Sequence, residues 1–228
     1  MSRAIDSYKI AKPELQRAVW EGDTHSVTIA LVNGADPNAL AAYGDPMLVV
    51  ASSRGHLAIV KALLAHGAAP DLAVQNGPAL LEAIRHGHLH VADALLRAGA
   101  AFGWHHAEQA ALYNHVSLLN LFLAGGVSVN QRGGTGDTLL MSATFGGHIQ
   151  SVQTLLDAGA DVNTSNGNGW TALHSAAACG HTEVVKLLLS LRANTNVADK
   201  GGDTPFTMAV KEGHDAVVSL LKAAGARG

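Results

Sequence analysis

The stretch Gly169-Trp170-Thr171-Ala172-Leu173-His174-Ser175-Ala176-Ala177-Ala178-Cys179-Gly180-His181, continued from Thr182 to Asn196, decides the fold. Thr171 stands where a helix should begin. Its hydroxyl can accept from the backbone N–H of His174 while the imidazole reaches back, a reciprocal cap of the capping-box kind. The helix so started runs through Ala176, Ala177 and Ala178, small enough for another helix to approach closely, and stops at Gly180. A second helix follows, with apolar residues at Val184, Val185, Leu187, Leu188 and Leu189. That is more than one narrow buried stripe needs, so the helix requires neighbours on more than one side.

Working outward, the same unit recurs along the chain. Gly-His or its equivalent lies at Gly22-Asp23, Gly55-His56, Gly87-His88, Asn114-His115, Gly147-His148, Gly180-His181 and Gly213-His214, with successive spacings of 33, 32, 27, 33, 33 and 33 residues. A period near 33, two short helices per unit, and helix starts such as Thr171-Ala172-Leu173-His174 and Thr204-Pro205-Phe206-Thr207 resemble the ankyrin repeat family. The run Leu155-Leu156-Asp157-Ala158-Gly159-Ala160-Asp161-Val162-Asn163 is similar to that family's second-helix ending. The resemblance extends from about Pro13 to the end. It implies an all-α solenoid of seven helix-turn-helix repeats, two of them caps, with hairpin loops projecting between them.

The expected repeats are 13–38, 39–71, 72–101, 102–130, 131–163, 164–196 and 197–228, preceded by an extension at 1–12. In the first repeat Leu15 and Ala18 are expected in the core of one helix and Val27, Ile29 and Leu31 in that of the other. Arg17, Glu21 and Asp23 suit an end repeat with one face in water. Asp45-Pro46 reads as helix N-cap and first helical residue. Gly34, Gly67, Gly99, Gly126, Gly159 and Gly225 should close second helices in a left-handed conformation. Arg192 occupies that slot in the sixth repeat, where a side chain costs about 1–2 kcal/mol. Lys222 stands where inner repeats have Leu64, Leu96, Leu156 and Leu189, which suits an outward-facing C-terminal cap. The fourth repeat departs most: six residues separate Gly99 from His105, the residue aligned with Thr171, against twelve from Gly159 to Thr171. Its hairpin is expected to be missing or collapsed, with the stack continued by Leu118, Leu119, Leu121, Phe122 and Leu123.

Composition narrows the function. The chain of 228 residues is 48% hydrophobic with a net charge of −3 and 15 Lys plus Arg, which argues against nucleic acid as a partner. It shows no apolar run near the ~20 residues of a membrane span and no secretory leader. Its one cysteine, Cys179, permits no internal disulfide and fits a reducing, cytoplasmic setting.

A stack of such repeats implies a concave side lined by first helices and hairpin tips. Slots there that packing does not need hold Trp20, Tyr43, Asp45, Arg54, Arg85, Trp104, Tyr113, Asp137, Phe145, Trp170, Asp203, Lys211 and Glu212. All three tryptophans are among them, in a chain with only 4% aromatic residues. Such rings either fill spaces between hairpins or meet a partner. As a set they favour binding, because Trp, Tyr and Arg most often dominate protein interfaces.

Chemistry is less well supported. His56, His88, His115, His148, His181 and His214 share one repeat slot and His174 is a cap. Residues two apart, such as His86, His88 and His90, do not share a helix face, and zinc needs three or four converging ligands. Cys179 with His174 and His181 is no better as a thiol and base, since all three occupy repeat slots. Gly133-Gly134-Thr135-Gly136 reads as a hairpin tip rather than a phosphate loop. The sequence therefore leads to a monomeric scaffold without cofactor or catalytic activity that binds another protein as adaptor or inhibitor. The alternatives are a structural subunit that self-associates, or a metal-binding or catalytic protein using the His-rich central repeats.

Overall fold

The computed structural model describes residues 11–72 and 77–227. Of the extension expected at 1–12, all but Ala11 and Lys12 lies outside the described residues, as does part of the hairpin expected in the third repeat.

Contacts divide the chain into two compact units, Met1–Phe102 and Gly103–Gly228. The first contains α1 (Pro13–Glu21), α2 (Thr24–Val32), α3 (Met47–Ser53), α4 (Leu57–Ala65), α5 (Ala79–Arg85) and α6 (Leu89–Arg97). The second contains α7 (Trp104–Leu112), α8 (Val116–Ala124), α9 (Leu139–Phe145), α10 (Ile149–Asp157), α11 (Ala172–Ala178), α12 (Thr182–Ser190), α13 (Pro205–Lys211) and α14 (Asp215–Ala223). Among the described residues the only β features are two isolated bridges, Leu40 with Pro46 and Arg132 with Thr138. The fold is all-α, as the repeat pattern predicts.

Each unit is a stack of helix pairs. In the first, α1, α3 and α5 pack in series to form one layer and α2, α4 and α6 the other. In the second, α7, α9, α11 and α13 form one layer and α8, α10, α12 and α14 the other. The core between the layers is aliphatic: Ile59, Leu63, Ile84 and Leu95 in the first unit and Leu119, Leu155, Leu173 and Leu188 in the second are all fully buried. Each such side chain contributes about 1.5–3 kcal/mol by burial.

Local sequence explains where helices start and stop. Thr171 Oγ1 accepts from the His174 N–H at 3.4 Å while the Thr171 N–H donates to His174 Nδ1 at 3.1 Å, the reciprocal cap expected from the sequence. Thr204 and Thr207 repeat it at 3.2 and 2.8 Å. In four pairs the chain turns between the helices at a glycine, Gly22, Gly55, Gly147 or Gly180, that lies beneath a histidine of the next repeat. At Gly180 φ is +71° and an added Cβ would lie 2.6 Å from His214 Nδ1. The ring is fixed there because its Nε2 donates to the Ala178 carbonyl at 3.0 Å. His56, His88 and His181 make the same bond to Trp20, Ser53 and Phe145. A second ladder ties hairpin roots together: Asn130 donates to the Gly159 carbonyl and accepts from the Asp161 N–H, and Asn196 does the same to Gly225 and Arg227.

Four hairpin tips share one closure. The N–H of the first residue donates to the carbonyl of the fifth in Ala41–Asp45, Gly133–Asp137, Asn166–Trp170 and Asp199–Asp203, at 2.7 to 2.9 Å. Gly133 to Gly136 is thus part of a hairpin tip, as read from the sequence.

Several expectations are corrected. The N-cap of α3 is Pro46, and Asp45, one residue earlier, is buried beneath the hairpin it closes. Ile29 is 47% exposed rather than in the core, because α2 has a neighbouring second helix, α4, on one side only. Leu121 likewise faces outward while Leu118, Leu119 and Phe122 are buried. In the fourth repeat the helix starts two residues before the aligned position, with Gly103 as N-cap and Trp104 as first helical residue. Only residues 98–103 separate α6 from α7, so there is no room for a hairpin of the usual length.

Candidate functional site

In the first unit the end of α1 presents Trp20, the hairpin tip presents Tyr43, and the C-cap of α3 is Arg54. Trp20 and Tyr43 are about half exposed. The Arg54 guanidinium carbon lies 4.0 Å from the centroid of the Trp20 ring, a cation–π contact. A shallow groove of about 230 Å³ runs beside them, lined by Gln16, Arg17, Trp20, Tyr43, Met47 and Val50. Asp45, expected at this surface, is only 4% exposed and belongs to the hairpin's interior. Arg85, one repeat further on, is exposed and bonded to Glu82 at 2.9 Å, an ion pair along a single helix worth little in water.

In the second unit Trp104 and Trp170 are half-buried and each spans to the following hairpin. The Trp104 indole N–H donates to the Gln131 carbonyl at 3.1 Å, and its ring covers Gly133 closely enough to exclude a Cβ there. The Trp170 indole N–H donates to Asp199 Oδ2 at 2.9 Å, and its ring stacks on His174 at 5.9 Å. Sequence alone places these rings facing outward; in the structure part of the Trp104 ring joins the start of α7 to the next hairpin, and part of the Trp170 ring joins two consecutive hairpins. Tyr113, the C-cap of α7, and Phe145, the last residue of α9, are free of that duty and are 43% and 59% exposed. Asp137 accepts from Asn166 Nδ2 at 2.6 Å and from the Thr135 hydroxyl. Asp203 pairs with Lys211 through both oxygens, at 2.6 and 2.7 Å.

Of these residues Asp137, Phe145 and Trp170 line one groove of about 260 Å³, together with Glu108, Leu112 and Met141; Trp104, Tyr113, Asp203 and Lys211 lie outside its lining. Glu108 was not among the residues the sequence singled out. Its position aligns with His174, a capping residue, but the early start of α7 passes that role to His106, whose Nδ1 accepts from the Gly103 N–H. Glu108 is left to line the groove and to pair with His105 at 2.8 Å. The shortened interval before α7 is the one sequence signal that could have marked it.

The electrostatics do not tune His174 and Cys179 as a base and a thiolate. Burial holds His174 below its ordinary pKa; its Nε2 donates to the Asp203 carbonyl at 3.2 Å and its Nδ1 accepts, which makes it a neutral structural ring. Burial, with the nearby Glu212 charge, pushes the Cys179 thiol up, away from the reactive thiolate. The Asp203 N–H, followed by the Trp170 indole and the Gly201 N–H, holds Asp199 below the usual carboxylate range. Among the described residues no three His, Cys, Asp or Glu side chains are grouped to hold a metal; His86 and His88 stack ring on ring at 6.2 Å. No helix among them is long and apolar enough to cross a membrane.

A family profile described as ankyrin repeats in three copies matches residues 15–103, 107–199 and 159–227. The crystal structure of the human ASB11 ankyrin repeat domain is similar over 95% of this chain and 100% of that one, with a TM-score of 0.84 and 24% sequence identity, a likeness of fold. No curated protein sequence matches this chain.

Proposed function

The chain belongs to the ankyrin repeat family, whose members are in general protein–protein interaction modules and typically non-catalytic, and we propose that it is a cytoplasmic adaptor or inhibitor that binds another protein through first helices and hairpin tips. The observation that supports this reading most is the distribution of its aromatics. The buried layers are almost entirely aliphatic, while Trp20, Tyr43, Tyr113 and Phe145 keep 43–59% of their surface in water at the ends of first helices and in a hairpin. Exposed aromatics cost solubility unless a partner covers them, and aromatic anchors carry much of the energy of protein interfaces.

The interaction surface is read as two patches, one per unit: Trp20, Tyr43 and Arg54 in the first, and Trp104, Tyr113, Asp137, Phe145 and Trp170 in the second. Arg85, Asp203 and Lys211 supply polar rim contacts. Asp45 acts indirectly, by supporting the hairpin that carries Tyr43. Affinity capture from the native host, with wild type beside a Trp104→Ala/Trp170→Ala double variant, tests the second patch. Partner retained by wild type and lost by a variant of unchanged helicity supports the reading; equal recovery by both removes that patch.

A second reading has one observation in its favour. On α2 the side chains of Ile29 and Val32 are 47% and 72% exposed, an apolar edge that suits self-association. Light scattering of the isolated chain separates the two readings: a monomer at working concentration supports the adaptor, and a stable dimer lost on Val32→Glu supports the structural subunit.

A further inference from the structure

Trp20 and Phe145 hold the same place in their respective repeats. The carbonyl of each accepts from Nε2 of the histidine 36 residues further on, His56 at 3.3 Å and His181 at 3.0 Å. The residue 34 positions on is Arg54 in the first case and Cys179 in the second. Their backbones match, with φ and ψ of −96° and −4° for Arg54 and −90° and −2° for Cys179. Arg54 lays its guanidinium over the Trp20 ring at 4.0 Å. Cys179 is too short to do so, and the Phe145 ring is left 59% exposed.

The groove beside Phe145 also differs in charge. Next to Trp20 the groove is lined by Gln16 and the cation Arg17. Next to Phe145 it is lined by two carboxylates, Glu108 and Asp137, over an apolar floor that includes Leu112, Met141 and Trp170. Asp137 accepts two hydrogen bonds from its own chain, and a carboxylate has about four acceptor sites. At about 260 Å³ the groove is below the ~300–1,000 Å³ of pockets for drug-sized ligands and suits one long side chain.

We propose that this groove receives an arginine side chain of the partner protein, placed over Phe145 as Arg54 is over Trp20, with Glu108 and Asp137 as its counter-charges. The inference rests on the scaffold reading above and names what the second patch selects. Arginine fits better than lysine because its planar guanidinium can stack on a ring and still direct N–H groups outward, in its own plane, at carboxylates beside the ring. The chain's own Trp20–Arg54 pair shows the stacking half of that arrangement.

The test is selection of binders from a random peptide library against the full chain, followed by affinity measurement on synthetic copies. Binders that share an arginine, and weaken about tenfold or more when it is replaced by the neutral isostere citrulline, are expected. The same loss is expected on Phe145→Ala and on Glu108→Gln. Cys179→Arg provides a readout that a merely structural role would not move: the introduced guanidinium fills the place over Phe145 from within and competes with the peptide. Binders that lack arginine, or that are indifferent to both Phe145→Ala and Cys179→Arg, overturn the proposal. If such binders instead depend on Trp20 and Tyr43, the scaffold reading stands and only the arginine groove falls; failure to select any binder counts against both.

Discussion

The N–H of Ala193 donates to the Leu188 carbonyl at 3.0 Å, and to turn the chain into that helix-ending bond Arg192 takes a left-handed backbone with φ of +59°. Gly34, Gly67, Gly99, Gly126, Gly159 and Gly225 occupy the corresponding position with φ between +86° and +101°. A side chain in that conformation costs about 1–2 kcal/mol, part of which glycine returns through the greater freedom of the unfolded chain. Arg192→Gly is therefore expected to stabilise the protein by about 0.5–1 kcal/mol, seen as a rise of a few degrees in thermal melting. An unchanged or lower midpoint would show that the Arg192 side chain contributes more than its backbone costs.

Gly180 and Gly213 separate two effects that the repeat combines. Both have positive φ, +71° and +75°, but only Gly180 lies beneath a histidine ring; a Cβ on Gly213 meets nothing within 4 Å. Gly213→Ala should cost about 1–2 kcal/mol, the backbone strain alone. Gly180→Ala should cost more by about 0.5–1.5 kcal/mol, since it displaces His214 from the Ala178 carbonyl. Chemical denaturation of the pair measures the difference directly. Equal losses would mean that the ring-to-carbonyl bond adds nothing to stability.

His174 makes stability depend on pH with a definite sign. Burial depresses its pKa from the ordinary 6.5 in the folded chain. The unfolded chain therefore takes up a proton near pH 6.5 that the folded chain refuses until the pH is lower. This site's stabilisation is complete above pH 6.5 and is lost as the pH falls through the interval down to the depressed value, at a slope of at most about 1.4 kcal/mol per pH unit. Thr207 performs the same capping bonds in the last repeat, so His174→Thr should keep the cap and flatten that acid limb. Denaturation at a series of pH values between 7 and 5 tests it; an identical slope in the variant would assign the acid sensitivity elsewhere.

What could be read from sequence alone follows from what the repeat constrains. The 33-residue spacing of Gly-His is legible because the glycine of one unit and the histidine of the next occupy the same few ångströms, as Gly180 and His214 do. The capping threonines at 138, 171 and 204 and the left-handed slot of Arg192 are legible because they depend on neighbours within a few residues. The candidate site is less so, since it depends on contacts between hairpins. Asp45 and Asp137 share an alignment slot, yet one is buried beneath its own hairpin while the other lines a groove. The bond from Trp170 to Asp199, 29 residues on, needs the register of two hairpins at once. Glu108 escaped notice because α7 begins two residues early, a shift within a helix terminus that alignment to other repeats conceals.

The central claim is that partner binding uses first-helix ends and hairpin tips, and the most direct measurement is the partner's affinity for two matched sets of variants in the second unit. One set, Phe145→Ala and Trp170→Ala, truncates residues of the groove; the other, Leu121→Ala and Ile149→Ala, truncates exposed residues on the second-helix layer, at α8 and α10. We predict a loss of about tenfold or more, roughly 1.4 kcal/mol, for each groove variant and no more than twofold for the others. Groove variants that bind like wild type, beside a loss on Leu121→Ala or Ile149→Ala, would contradict the account and move the interface to the second helices.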